Sequence, residues 1–232
     1  MKTFKLLLML IVVAATLGSC SKDPESQEIR FSILGDSYST FEGYVDPGTN
    51  DVWPYYEDIH VTDVGQMWWH QLADSTGWRL DKNNSFSGSL ICNMNYGDYF
   101  GPYSFIHRMN DLGNPDYIFI FGGTNDVWDE APLGDFVFED WTEEQLCTFR
   151  PAVAYLFAGL KNRYPQAALY FMMDLSLDEA YIAAVHLIAA HYHVPCIDLY
   201  DVDKDWHHPS IAGQTIIAQQ LLEALALDGV IF

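Results

Sequence analysis

The stretch IRFSILGDSYS (residues 29–39) decides how the rest of the chain is read. A short, mostly apolar run enters Gly35 without interruption, and a Gly-Asp-Ser turn follows. A run of this length bounded by glycine reads as a buried strand. A turn needs only a glycine and a polar residue, so the hydroxyl of Ser37 at the strand's mouth is surplus to geometry and marks a candidate nucleophile. Three more runs share the pattern: DYIFIFG (116–122), AALYFMM (167–173) and VPCIDL (194–199), with a weaker WRLDKNNSF (78–86) between the first two. Helical patterns separate them. DVGQMWWHQLADSTG opens on an Asp cap and stops at Gly77, and TEEQLCTFRPAVAYLFAGLKNRY opens on Thr142 with a kink predicted at Pro151. SLDEAYIAAVHLIAAHYH and PSIAGQTIIAQQLLEALAL complete the set. Strands alternating with helices predict an α/β fold with helices on both faces of a parallel sheet of about five strands. In such sheets ligands sit outside the carboxyl ends of the strands.

The chain has 232 residues, half of them hydrophobic, enough for one sizeable core. With 11 basic against 32 acidic residues its net charge is −21, a field that repels phosphate and excludes nucleic acid as a partner. The first residues read as a leader. Lys2 and Lys5 precede the apolar run LLLMLIVVAATL, which is short for a membrane span, and LGSC puts Cys20 where cleavage is expected. Residues 1–19 are therefore expected to be a lipoprotein signal peptide, Cys20 the lipidated N-terminus, 20–28 a tether and 29–232 the domain. The expected location is the cell envelope, secreted and held at the outer membrane by the N-terminal lipid alone. SKDPE after Cys20 is similar to the export signal of Bacteroidetes surface lipoproteins. Cys92, Cys147 and Cys196 allow at most one disulfide and suggest no zinc site.

Four motifs fall where strands run out: GDSYS (35–39), NNSFSGS (83–89), GGTND (122–126) and DWHHP (205–209). Together they bring a hydroxyl, a glycine amide, a carboxamide and an Asp/His pair to one rim. That set suits acyl transfer. A serine needs an imidazole to take its proton, and the imidazole needs a carboxylate to fix its tautomer. Asp205 and His208, three apart, would be neighbours on a helical turn, while His207 would point elsewhere as a rim residue. The backbone amides of Ser37 and Gly88 and the side-chain amide of Asn125 are candidate oxyanion donors. Ser39 and Asp36 are read as turn residues, and Asp126 as a helix cap.

These stretches resemble the sequence blocks of the SGNH, or GDSL-type, hydrolases, in the family's order across roughly residues 29–225. The resemblance implies a flavodoxin-like three-layer α/β/α sandwich and metal-independent ester hydrolysis without a cofactor. It places Ser37 as nucleophile, Asp205 and His208 as its partners, and Ser37, Gly88 and Asn125 around the oxyanion. Block two is the loosest match, and Tyr38 stands where leucine is usual. A two-metal phosphoesterase would need more His and carboxylate ligands than these motifs supply, and no Gly-x-Ser-x-Gly elbow of an α/β-hydrolase occurs. The expectation is a serine esterase acting on small acyl esters, acetyl first, of a glycan or other small molecule. A short-chain lipid esterase or thioesterase, and a non-catalytic glycan-binding lipoprotein using Trp53, Tyr55, Tyr56 and Trp206, are the alternatives. The aromatic-rich loop 41–62 is either a binding loop or a cover for the core.

Overall fold

The computed structural model describes residues 28–45, 60–94 and 103–232. Residues 1–27, with Cys20, and 46–59, with Trp53, Tyr55 and Tyr56, lie outside the described residues. Five parallel strands form the central sheet: β1 (Arg30–Gly35), β2 (Arg79–Ser85), β3 (Tyr117–Phe121), β4 (Ala168–Asp174) and β5 (Cys196–Leu199). Their order is β2-β1-β3-β4-β5, so the chain reverses direction across the sheet beside β1. Alternation along the strands divides the core in two. Ile118 and Ile120 of β3 face one helical layer, while Phe119 and Phe121 face the other. The first layer holds α5 (Phe149–Arg163) and α6 (Glu179–Tyr192); the second holds α1 (Trp68–Thr76) and α7 (Ile211–Leu227). The result is the predicted three-layer α/β/α sandwich.

The predicted helix over 142–164 is two helices. Thr142 caps α4 (Glu143–Leu146) through a capping box with Gln145, and α5 begins afresh at Phe149. Pro151 explains the break. It has no N–H to offer the Cys147 carbonyl one turn back, and in the first turn of α5 that missing donor costs nothing. Two short elements, α2 (Phe105–Arg108) and α3 (Thr124–Trp128), flank the strand ends. A second, two-stranded sheet pairs β6 (Lys204–Asp205) with β7 (His208–Pro209), antiparallel, just before α7. Cys92, Cys147 and Cys196 are free thiols.

Strand register aligns the motif loops. Gly35, the last residue of β1, pairs with Ser85 on one side and Phe121 on the other. Three strands thus end at one level, and each hands its chain to a motif loop.

Candidate active site

Gly35 ends β1 because a side chain would not fit there. A Cβ would lie 2.6 Å from Ser85 Oγ and 2.9 Å from Ser39 Oγ. The turn beyond it is organised by Asp36, whose Oδ1 accepts the Tyr38 N–H at 3.0 Å, while Ser39 N–H reaches the Asp36 carbonyl at 3.1 Å. This turn presents the Ser37 hydroxyl 3.0 Å from His208 Nε2, across 171 residues of sequence. Both residues are buried. Ser39, by contrast, serves the scaffold: its hydroxyl accepts from Trp68 Nε1 and its carbonyl from Trp69 Nε1 and Asn83 Nδ2.

Asp205 and His208 are placed by a hairpin and not by a helical turn. They are directly opposed on the β6–β7 ladder, which puts their side chains on one face. Asp205 Oδ2 also lies 3.6 Å from His60 Nδ1. Trp206 and His207 form the tip, and Trp206 takes a left-handed backbone, φ 58°, which costs an ordinary side chain about 1–2 kcal/mol. Burial pushes the His208 imidazole down to about 4, and the neighbouring His207 and Lys204 push the same way. The ring is therefore a neutral base throughout the physiological range. Lys204 is itself fixed by Asp174 Oδ2 at 2.6 Å and Ser176 Oγ at 3.0 Å.

The candidate oxyanion donors come from the other two strand ends. Gly88 adopts φ 75°, a conformation that favours glycine. Asn125, in the first turn of α3, donates one Nδ2 hydrogen to the Ser89 carbonyl at 3.0 Å. That bond orients the carboxamide, whose second hydrogen can serve a substrate oxygen. Asp126 does not cap its own helix. Its buried carboxylate accepts from the Ile91 and Cys92 amides at 2.8 and 3.1 Å and so ties down the loop that carries Gly88. Burial raises its pKa to about 6 against those bonds.

Two residues to which sequence reasoning gives no role hold these loops together. Arg108, at the end of α2, donates to the carbonyls of Gly35 (3.0 Å), Tyr103 (2.6 Å) and Asn84, to Asn84 Oδ1 (3.2 Å) and to Ser89 Oγ (2.9 Å). One guanidinium thus joins the ends of β1 and β2 to the Gly88 loop. Burial lowers its pKa to about 9, opposed by Asp36, whose own carboxyl burial raises to about 7. The available signal is a cation set among Phe105, Ile106 and Met109, an apolar setting in which arginine is rarely found unpaired. Tyr38 is the second. Its hydroxyl donates to the His207 carbonyl at 2.8 Å, and its ring meets that of His208 edge-on at 5.5 Å. The residue after the nucleophile therefore clamps the hairpin that carries the base.

The family model for GDSL-like lipases/acylhydrolases matches residues 29–225. The chain belongs to this family. Its fold agrees with that of other GDSL-like proteins. A protein described as a GDSL-like lipase from Bacteroides ovatus is 47% identical and superposes with a TM-score of 0.82 over 86% of this chain and 99% of that one. A counterpart from Bacteroides uniformis is 41% identical, with a TM-score of 0.82 over 86% and 96%. An acetyl xylan esterase from Butyrivibrio proteoclasticus is 15% identical, with a TM-score of 0.59 over 88% and 65%, and shares the fold. A search of curated proteins found no match. Membership in this family places the chain among hydrolases.

Proposed function

We propose that this chain is a serine esterase that removes small acyl groups, acetyl foremost, from carbohydrate. The reading rests on one observation, the 3.0 Å contact between Ser37 Oγ and a buried His208 Nε2 at the end of β1. In the proposed reaction the Ser37 hydroxyl gives its proton to Nε2 as its oxygen attacks the ester carbonyl. The amides of Ser37 and Gly88 and the carboxamide of Asn125 stabilise the oxyanion. Collapse of the tetrahedral intermediate breaks the bond to the sugar oxygen, which takes the proton from Nε2. Water then attacks the acyl-enzyme, again losing a proton to His208, and the carboxylic acid leaves with Ser37 restored. Asp205, on the same face of the hairpin as His208, is the orienting carboxylate of this scheme. The depressed basicity of His208 makes its protonated form a ready donor to a leaving alcohol.

Acetylated sugar is the first substrate to try because an acetyl xylan esterase shares the fold. Lipidation at Cys20 and attachment to the outer membrane belong to the same proposal. A purely glycan-binding role gives no reason to keep a neutral imidazole in contact with a buried serine. The test is acid release from p-nitrophenyl acetate together with labelling by a fluorophosphonate. Turnover and labelling are expected in the native chain and absent in a folded Ser37→Ala variant. A folded native sample that neither turns over nor labels would overturn the proposal.

A further inference from the structure

The rim beside His208 carries exposed aromatic rings. Trp206 is 66% exposed at the tip of the β6–β7 hairpin, and its φ of 58° is a strained conformation for a bulky residue. A tip in this conformation favours asparagine or glycine. An indole held there, two-thirds in water, adds strain and little burial, and outliers of this kind gather at functional sites. Trp128, the last residue of α3, is 44% exposed. The His207 ring lies between the two, with centroids 4.9 Å from Trp206 and 5.5 Å from Trp128. Trp128 is in turn 6.4 Å from the His208 ring, which contacts the nucleophile.

We infer that Trp206, His207 and Trp128 form a ledge on which the sugar ring carrying the ester stacks. The inference rests on the esterase reading and names the part of the substrate that this surface takes. Its position decides between the two halves of an ester. The base must hand its proton to the departing alcohol, so the leaving group lies on the His208 side and the carbonyl oxygen on the side of Gly88 and Asn125. The ledge adjoins His208 and therefore meets the alcohol. Its form decides the chemistry of that alcohol. The rings are stepped, inclined by 50° between Trp206 and His207 and by 64° between His207 and Trp128. One exposed indole face suits a pyranose, whose C–H face stacks while its hydroxyl edge stays wet, whereas an alkyl chain would remain half in water. A net charge of −21 disfavours an anionic partner.

The test compares the native chain, Trp206→Gly and Trp128→Ala on ethyl acetate and on acetylated xylo-oligosaccharide. Glycine accepts the left-handed backbone, so Trp206→Gly removes the ring and relieves the hairpin. Ethyl acetate is used because its alcohol is too small to reach the ledge, which nitrophenol is not. Each variant is expected to stay within twofold of native on ethyl acetate and to lose kcat/KM on the oligosaccharide by up to roughly tenfold, mainly through KM. In parallel, unacetylated xylo-oligosaccharide should perturb the tryptophan fluorescence of Ser37→Ala, and this change should shrink in Ser37→Ala/Trp206→Gly. Equal losses on both substrates would make the rings structural and overturn the ledge, as would no loss on either or no fluorescence change. A native chain inactive on every ester would defeat the esterase reading instead, and the titration would still report on the ledge.

Discussion

Arg108→Met removes a guanidinium and keeps most of an aliphatic stem packed against the Phe105 ring, over which the guanidinium carbon sits 4.9 Å from the centroid. Five acceptor contacts disappear with it, on Gly35, Asn84 (two), Ser89 and Tyr103. The Gly35 carbonyl still receives the Phe86 amide at 3.1 Å, so the damage falls chiefly on Asn84, Ser89 and Tyr103. Asp36 keeps the Tyr38 amide but loses the positive charge that helps that bond hold its carboxyl down against burial. Breaking one side of such a buried arrangement costs about 3–5 kcal/mol. For a domain of this size each kcal/mol moves Tm by about 2–4 °C, which gives a drop of about 6–20 °C. Arg108→Lys restores the charge but not the fork, so it should recover only part of the loss. Thermal melts followed by circular dichroism measure both. An Arg108→Met variant melting within about 2 °C of native, at unchanged turnover, would refute the view that one side chain joins these strand ends.

Three further outcomes are expected. Because His208 stays neutral until the pH falls to about 4, the acid limb of kcat/KM should lie near that value and not near 6.5. Lys204→Gln, which keeps donors for Asp174 and Ser176, should move the limb upward; an unmoved limb would remove Lys204 from the account. Tyr38→Phe keeps the ring and loses the bond to His207, so kcat should fall about tenfold with KM little changed and stability should drop by about 0.5–1.5 kcal/mol. A change confined to KM would argue against a positioning role. Asp205→Asn should lower kcat by well under the roughly 10⁴-fold loss known for the orienting aspartate of a serine protease, since burial dominates the imidazole here. A full loss of that size would make Asp205 indispensable.

The parts of this site legible in the sequence are those that lie next to a strand end. Ser37 and Asn125 follow runs whose apolar character alone marks them as buried strands, and parallel pairing then forces their loops to one level. His208 is legible as a residue but not in its setting. A ladder only two residues long has no periodicity to detect, so the Asp205–His208 spacing reads as a helical turn. The roles of Arg108 and Tyr38 are hidden for another reason. Their contacts span 73 residues to Gly35 and 169 residues to His207, distances over which local pattern carries no information. Asp126 illustrates the same limit: near a helix start it looks like a cap, yet its carboxylate serves Ile91 and Cys92 on a different loop.

The base rides on a ribbon of two ladder positions, while the nucleophile is anchored to an inner strand of the sheet. Beyond its ladder, that ribbon is fastened by Tyr38, by the hold of Asp174 and Ser176 on Lys204, by the bond from Ser210 N–H to the Asp203 carbonyl at 3.0 Å, and by the short contact between the Ser210 and Asp203 side chains. Local ties of this kind open more readily than a core that must melt as a whole. Warming should therefore silence this protein while it is still folded, and cooling should return it to work without any refolding step.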